Sequence, residues 1–423
     1  MELLDELRWR GMVAQLTGEG LGAKLAAEPF VVYHGIDASA DSLHVGNLIG
    51  VLALRRLQAA GHRPVVLLGG ATTLIGDPSG KDAERPIRSA EEVHGNVAGI
   101  RAQLEPLLDF QGGRAPAVLV DNADWLSATS LTDFLRDVGK HFSVNAMMAK
   151  DSVRSRLEGR EQGISFTEFS YMLLQAADYL HLFDTYGCRL QVGGSDQWGN
   201  ITAGVDLVRR TRGEEVYGLT WPLLTKPDGS KFGKSEAGNV WLDPQRTSPY
   251  QFLQFWMNQD DAAVIPLLKL FGDVTPEAVE SLEQTHAERP QARDVHRVLA
   301  HAVTALVHGE AAAAGAVQAS AALFGGRLDG LSEASLLEAF AEAPSTTLTR
   351  SELPAPLIDV LVRAGVAPSR SAARRDLEQG GVYVNNRKEG DPERLLVTDD
   401  LLAGRYVVLR RGKRTYHLVR FGE

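Results

Sequence analysis

The stretch Val31-Val-Tyr-His-Gly-Ile-Asp-Ala-Ser-Ala-Asp-Ser-Leu-His-Val-Gly-Asn-Leu-Ile-Gly-Val-Leu-Ala-Leu-Arg-Arg-Leu-Gln-Ala-Ala60 decides how the rest of the chain is read. An apolar strand at Val31 to Tyr33 gives way to a loop of small and acidic residues, and a helix opens near Leu43 and His44. Val45, Leu48, Ile49 and Leu52 then recur at i, i+3, i+4 and i+7, the spacing of a helix with one face on a sheet. Gly61 stops the helix and Pro64-Val-Val-Leu-Leu68 supplies a second strand, which completes a strand–helix–strand crossover. Ligands of such sheets bind where a loop leaves the carboxyl end of a strand and enters a helix, because unpaired N–H groups and the helix dipole favour anions there. His44-Val-Gly-Asn47 occupies that first turn, with a glycine for close approach and two side chains able to donate to one phosphate.

Standard nucleotide motifs are excluded. No G-x-G-x-x-G follows the first strand, and Gly76-Asp-Pro-Ser-Gly80-Lys81 has three residues between its glycines where a P-loop has four, with Asp82 in place of Ser or Thr. Ser195 follows Gly193-Gly194, but Gln197 breaks the G-x-S-x-G pattern of a nucleophile elbow.

At 423 residues, two or three domains are expected, and 44% hydrophobic with 23% charged residues is an ordinary globular composition. The single cysteine, Cys188, excludes a disulfide framework and a multi-cysteine metal site, and suits a cytoplasmic protein. The acidic, amphipathic N-terminus does not resemble a secretory signal, and the uncharged run 311–326 is too short to span a membrane. Charge is uneven: Arg350 to Glu423 holds 14 Arg and Lys against 10 Asp and Glu, +4 in a chain of net −10. A basic module on an acidic enzyme is the natural reading.

Alternating runs to about residue 220 include candidate strands at Pro64–Gly69, Ala117–Val120 and Arg189–Val192 and helices at Thr132–Val138 and Glu168–Leu182, predicting a mostly parallel, doubly wound α/β sheet. Thr225 to Ser235, with Pro-Asp-Gly turn chemistry, reads as an exposed mobile loop. Ser248-Pro249 and Thr275-Pro276 open helices, and Val295, Leu299, Ala302 and Leu306 mark a further helical face that ends at Gly309. Ala341 to Thr349 reads as a linker. Beyond it come helices at Pro356–Ala364 and Ser369–Gln379 and strands at Val382–Val384, Tyr406–Arg410 and Thr415–Arg420, with Arg370, Arg374 and Arg375 on adjacent helical turns. The expected parts are a Rossmann-like domain over 1–247, a helical domain over 248–344, and a linker plus small α+β domain over 345–423.

Lys231 and Lys234 stand three apart in the glycine-containing loop after the last strand of the sheet, where both can close on the anion held at His44-Val-Gly-Asn47. This pairing resembles the two signatures of class I aminoacyl-tRNA synthetases, "HIGH" at 44–47 and "KMSKS" at 231–235. Tyr33-His-Gly-Ile-Asp37, Gly69 to Gly80, Phe169 to Asp178 and Gln191 to Ile201 extend the resemblance to the bacterial tyrosyl branch over nearly the whole chain.

That resemblance implies specific roles. Tyr33 and Asp178 hold the phenolic hydroxyl of L-tyrosine, and Asp77, Tyr171 and Gln175 its ammonium group. Gly35, Asp37 and Gln191 shape the pocket. Gly46, Gly193 and Asp196 accommodate the adenosine of ATP, while Ser39, His44, Asn47, Lys231 and Lys234 stabilise the reacting phosphate and departing pyrophosphate. Magnesium arrives on the ATP phosphates, with no metal site of the protein's own. Expected partners are tRNA(Tyr), gripped by the module carrying Arg370, Arg374 and Arg375, and a second copy of the chain in a two-fold dimer, with neither DNA nor a membrane. Asn47 departs from the usual second histidine, Ala38-Ser39 from Pro-Thr, and Phe232-Gly233 from Met-Ser. The alternative is a non-catalytic binder of structured RNA on a synthetase scaffold. Tryptophan specificity, the rival within the class, is disfavoured by the Tyr33 and Asp178 pair.

Overall fold

The computed structural model describes residues 1–79, 88–150, 153–154, 157, 164–225, 232–235, 238–322, 326–341, 343–412 and 415–422, with backbone alone for 234 and 235. Contact density divides the chain into two units: Met1–Thr247 with Asp260–Val295, and Ser248–Gln259 with His296–Glu423. The division does not fall at the expected 247/248 boundary alone, since Asp260–Val295 packs with the first unit and Ser248–Gln259 with the second.

The first unit is built on a six-stranded sheet. Its strands are β1 (Gln15–Leu16), β2 (Val31–Ile36), β3 (Arg63–Leu68), β4 (Val118–Asp121), β5 (Cys188–Gly194) and β6 (Tyr217–Trp221), in the order β1-β6-β5-β2-β3-β4. All neighbours are parallel except the β1–β6 edge pair. From β2 the chain winds outward through β3 and β4, then returns to lay β5 and β6 on the other side. The order therefore reverses between β2 and β5, where doubly wound sheets open a crevice for ligands. Tyr33 sits in register with Val65 on one side and Gln191 on the other, at that reversal.

Four helices cover the sheet: α1 (Val45–Ala59), α2 (Ala90–Leu104), α3 (Phe166–Tyr186) and α4 (Trp198–Arg212). Side chains alternate along β2, so Tyr33 packs with Val65, Leu67, Val120, Tyr179, Leu182 and Val208 under α3 and α4, while His34 turns toward Gly50 of α1. The expected apolar face of α1 is buried, but so are Val51 and Leu54 outside it. The helix Asp261–Phe271 packs on α1, and Arg56 of α1 donates to the carbonyls of Leu270 in its last turn and Gly272 just beyond it. Ser165 caps α3 by accepting from the Glu168 amide, and Gly187 ends it in the left-handed conformation at φ 67°.

In the second unit a five-stranded sheet runs in the order Arg387–Glu389, Val382–Val384, Tyr406–Arg411, Thr415–Gly422, Ser345–Thr349. Ser345–Thr349, expected as part of a linker, is instead an edge strand parallel to Thr415–Gly422. Its Thr-rich alternation has only one buried apolar residue, Leu348, which is why the pattern reads as linker in the sequence. Along the central strands Val407, Leu409, Val419 and Phe421 face the helices Leu357–Arg363 and Arg370–Glu378, while Tyr406, Val408 and Leu418 face Ala319, Ala322, Leu336 and Phe340. The sheet is thus covered on both sides. Asn385 and Asn386, at φ 50° and 62°, make the two-residue hairpin between Val384 and Arg387, a turn that asparagine tolerates. Among the described residues no helix is long and apolar enough to cross a membrane.

Candidate active site

The N-terminus of α1 is capped by the residues first singled out there. His44 is extended, at φ −122°, and its Nδ1 accepts from the Gly46 amide at 3.0 Å, while the Asn47 Oδ1 accepts from the His44 amide at 3.1 Å. An Nδ1 that accepts places the proton of a neutral imidazole on Nε2, so His44 offers an N–H donor. Asn47 is oriented the same way: its oxygen is engaged by the backbone and its Nδ2 is the donor end. A histidine in this position would have one acceptor nitrogen and one donor, so the amide preserves the division of labour.

A segment far along the chain closes over this turn. The Val45 amide donates to the Val240 carbonyl, the Leu242 amide to Leu43, and the Val240 amide to Gly233. Gly233, at φ 84°, lies so close that a Cβ there would stand 3.3 Å from the Gly46 nitrogen and 3.6 Å from the Val45 Cβ. The glycine between the two lysines therefore touches the glycine of the helix turn. Lys234 begins a short strand paired with Gly238–Asn239; its side chain, like all of Lys231, lies outside the described residues. Ser39 is half-buried, its amide donating to the Asp37 carbonyl.

The carboxyl ends of β2, β3 and β4 and the face of α3 bring together a group of carboxylates, Asp77 and Asp178 buried and Asp37 and Asp121 half-buried. Tyr33 is buried edge-to-face against Tyr179 at 5.2 Å, and its hydroxyl has no hydrogen-bond partner among the described residues. Asp178 accepts from Asn122 Nδ2 at 3.0 Å and from Trp125 Nε1 at 2.8 Å. Burial pushes its carboxyl up to about 7, against those two hydrogen bonds and with help from the charges of Asp37 and Asp121. Burial also raises the phenols of Tyr33 and Tyr171 well above their ordinary value, so both are neutral donors. Asp37 accepts from Thr72 Oγ1 at 3.0 Å and from the Tyr171 hydroxyl at 3.1 Å. Asp77 accepts from Gln197 Nε2 at 2.6 Å and from the Ser79 amide at 3.0 Å. Gln175 is half-buried on α3, and the Oε1 of buried Gln191 on β5 has no partner among the described residues. The arrangement offers acceptors for a phenol at one place and concentrated negative charge for a cation at another.

At the end of β5, Gly193 packs against α4, where a Cβ would meet Gln197 and Ile201 at 3.2 Å, and Asp196 follows in the 3-10 turn Ser195–Gln197. Gly35 is open, with only Leu67 within 4 Å of a Cβ. Two residues of the network, Asn122 and Trp125, are absent from the motif reading, and Gln197 lies within a quoted motif with no role assigned to it. Asn122 and Trp125 follow directly on an apolar strand at the carboxyl edge of a parallel sheet, the signal by which they could have been found.

The profile of the tRNA synthetases class I (W and Y) matches residues 25–325. The chain belongs to that family. The profile of the tyrosine–tRNA ligase SYY-like C-terminal domain matches residues 335–419. A tyrosine–tRNA ligase of Roseiflexus castenholzii is 55% identical over 421 residues, covering 99% of each chain, and one of Bacillus caldotenax is 51% identical over 423 residues, covering 100% of each. Among solved structures, a C-terminally truncated mitochondrial tyrosyl-tRNA synthetase of Aspergillus nidulans superposes with TM-score 0.66 at 29% identity over 74% of this chain and 92% of its own. A tyrosyl-tRNA synthetase of Archaeoglobus fulgidus, complexed with L-tyrosine, shares the fold at TM-score 0.55 and 21% identity, over 74% of this chain and 99% of its own. As a class I synthetase, the chain has the Rossmann-like sheet that its sequence predicts.

In the second unit, Arg370 and Arg374 are exposed and lie 3.2 Å from Asp359 and 2.8 Å from Glu393, and Arg375 is exposed beside them. Arg410 lies 3.7 Å over the Tyr383 ring.

Proposed function

We propose that the chain is a tyrosine–tRNA ligase, activating L-tyrosine with ATP and transferring it to tRNA(Tyr). The observation that carries this reading is the buried pair of Tyr33, with an unsatisfied hydroxyl, and Asp178, an acceptor held by two N–H donors. A phenol placed there accepts from Tyr33 and donates to Asp178. Phenylalanine would leave the buried Tyr33 hydroxyl unpaired and offer Asp178 no proton; discrimination of about 10⁵-fold without editing is the known figure for enzymes of this kind, not a result of this geometry. The indole of tryptophan offers only an N–H, and leaves the Tyr33 donor unanswered.

The ammonium group faces Asp77, Tyr171 and Gln175, with Asp37, Gly35 and Gln191 completing the pocket. This puts the carboxylate of tyrosine toward the reversal between β2 and β5. One of its oxygens attacks the α-phosphorus of ATP, a P–O bond forms to give tyrosyl-adenylate, and the bond to pyrophosphate breaks. The protein's part is positioning and charge stabilisation. His44 Nε2 and Asn47 Nδ2 donate to the phosphates at the positive end of α1, with Ser39 beside them and Lys231 and Lys234 closing from the loop that Gly233 anchors. Gly46, Gly193 and Asp196 accept the adenosine. The donor set at α1 attracts anions, so magnesium comes as counter-charge on the ATP phosphates, not on a protein cage. A terminal ribose hydroxyl of the tRNA then attacks the activated carbonyl and AMP departs.

The three expected parts, 1–247, 248–344 and 345–423, divide this work into activation, the anticodon side and a grip on structured tRNA by Arg370, Arg374 and Arg375. The active form is a two-fold dimer in the cytoplasm. Tyrosine-dependent exchange of pyrophosphate into ATP without RNA tests the reading; its absence would leave the RNA-binding alternative standing.

A further inference from the structure

We propose that a cleft at the amino end of the sheet, at the opposite end of the strands from the tyrosine pocket, is a second ligand site that takes a small carboxylate with an apolar body. The cleft holds about 480 Å³ between the end of the helix Leu21–Ala27, the first residues of β2 and β3, and the turn before β4. That volume is ordinary for a small-molecule site. No residue of the two signatures lines it.

The crossover itself makes the cleft. Gly61 follows α1 at φ 95°, and a Cβ there would meet nothing within 4 Å, so the backbone borders open space. Arg63 opens β3 in register with Val31 of β2, which lays residues 29–31 alongside residues 61–63. Leu25, Phe30 and Ala115 are buried and form an apolar floor, while Ala27 and Pro29 leave apolar surface on the wall.

The polar groups of the lining suit an anion. His62 is only 2% exposed, and its Nδ1 accepts from the Phe30 amide at 3.0 Å. An accepting Nδ1 puts the proton of the imidazole on Nε2, and desolvation holds the ring below its usual range and so neutral at pH 7. Among the described residues this N–H has no hydrogen-bond partner, and its nitrogen keeps access to solvent, so the donor opens into the cleft that His62 lines. Arg63 donates through Nε to the Pro116 carbonyl at 3.3 Å, which steadies the guanidinium and leaves two terminal nitrogens for the bidentate grip a carboxylate fits. Arg114 is exposed at the rim. The one carboxylate of the lining, Glu28, is engaged by Arg189 at 2.7 Å, and neither Arg63 nor Arg114 has an ion pair among the described residues. The cleft is therefore positive. A bare anion would leave the apolar floor wet, and a neutral apolar molecule would leave the His62 donor unanswered.

The test uses the full chain with L-tyrosine at saturation, so that the pocket at the other end is filled, and phenylacetate as the probe. Phenethyl alcohol lacks the charge, and acetate and inorganic phosphate lack the apolar body; these three serve as comparisons. Binding is followed by calorimetry and by the imidazole resonances in NMR, with His62→Gln identifying the signal of His62. The expected result is saturable phenylacetate binding that moves the His62 signal and is about ten-fold or more tighter than any comparison. Arg63→Gln combined with Arg114→Gln, both at exposed positions, should weaken it by about ten-fold or more, the worth of one hydrogen bond to a charged group, and leave tyrosine-dependent exchange unchanged. Absence of binding up to about 10 mM, an unmoved His62 signal, or equal affinity in the double variant overturns the proposal. So does equal affinity for the alcohol, which would mean an apolar cleft only, or for acetate or phosphate, which would mean surface cations only. Should the wild type bind no tyrosine, the tyrosine reading fails, while the His62 signal and the double variant still decide the cleft.

Discussion

The tyrosine pocket of the first unit and the arginine face of the second both use charge, by opposite means. Asp178, Asp77 and Asn122 are buried, Trp125 and Gln197 half-buried beside them, and the carboxylate oxygens have partners at fixed distances. Arg370 and Arg374 are exposed, paired only with exposed or half-exposed acids. A buried group acts at short range in a medium that strengthens each contact, so one substitution is decisive. An exposed group is screened by salt and contributes little alone, so only the sum counts. The pocket suits one small ligand, and the face suits a polyanion.

Replacement of Asp178 by Ala is the sharpest way to break that contrast. Tyrosine activation should fall by at least about 10³-fold, because the phenol loses its acceptor and Tyr33 keeps a buried donor with a poor partner. ATP binding, followed separately, should persist. Undiminished exchange in this variant would show that the pocket serves another ligand. His44→Ala comes next. Losing one donor aimed at developing charge costs about 10²- to 10³-fold in rate, and losing the cap of α1 costs roughly 1 kcal/mol of stability. His44→Asn, which keeps a cap, should regain the stability without the full rate, a separation read by comparing melting with exchange kinetics.

The pocket's charge also carries a stability cost, and its sign can be worked out. Asp178 has its folded carboxyl raised from 3.8 to about 7. Between those values the folded chain keeps a proton that the unfolded chain releases, so raising the pH through this window favours unfolding. From pH 5 to 8 this group alone should remove on the order of 3 kcal/mol, one unit being worth about 1.4 kcal/mol. Denaturant midpoints at both pH values should therefore differ less for Asp178→Asn than for wild type. An identical pH dependence would mean that the carboxyl is ionised throughout.

The contrast also explains what the sequence could say. The crossover from Val31 to Leu68 is legible because strand, helix and glycine stop all follow local periodicity, and the meeting of Gly233 with Gly46 follows from the two signatures it joins. Ser345–Thr349 is not legible as a strand, since a polar edge strand needs its partner Thr415–Gly422 to be recognised. Nor is Asn122, whose role depends on Ala71, Thr72 and Asp178 converging from three separate elements. Gly50 is a similar case. A Cβ there would lie 2.2 Å from the His34 Nε2, and the half-buried imidazole is held below its usual range, at about 4, chiefly by desolvation. Gly50→Ala should cost about 1 to 3 kcal/mol by overpacking, relieved in the double variant with His34→Ala.

The arginine face should give the smallest effect per residue, and its measurement requires care over where the chain is altered. Cutting after Pro344 would remove the strands that cover Ala319, Ala322, Leu336 and Phe340, so a loss of charging would report unfolding as readily as lost RNA contacts. Charge removal on the surface avoids this. Arg370→Ala, Arg374→Ala and Arg375→Ala together should leave tyrosine-dependent exchange unchanged, because that reaction needs no RNA. They should weaken tRNA binding by about ten-fold near physiological salt and flatten its dependence on salt, each phosphate contact contributing roughly 0.7 to 0.9 to the logarithmic slope. Since Arg370 and Arg374 already face Asp359 and Glu393, adding Glu393→Ala to the wild type should release one cation and tighten binding slightly. A salt slope unmoved by the triple variant would place the RNA-gripping surface elsewhere, with the stacked Arg410 and Tyr383 the next residues to alter.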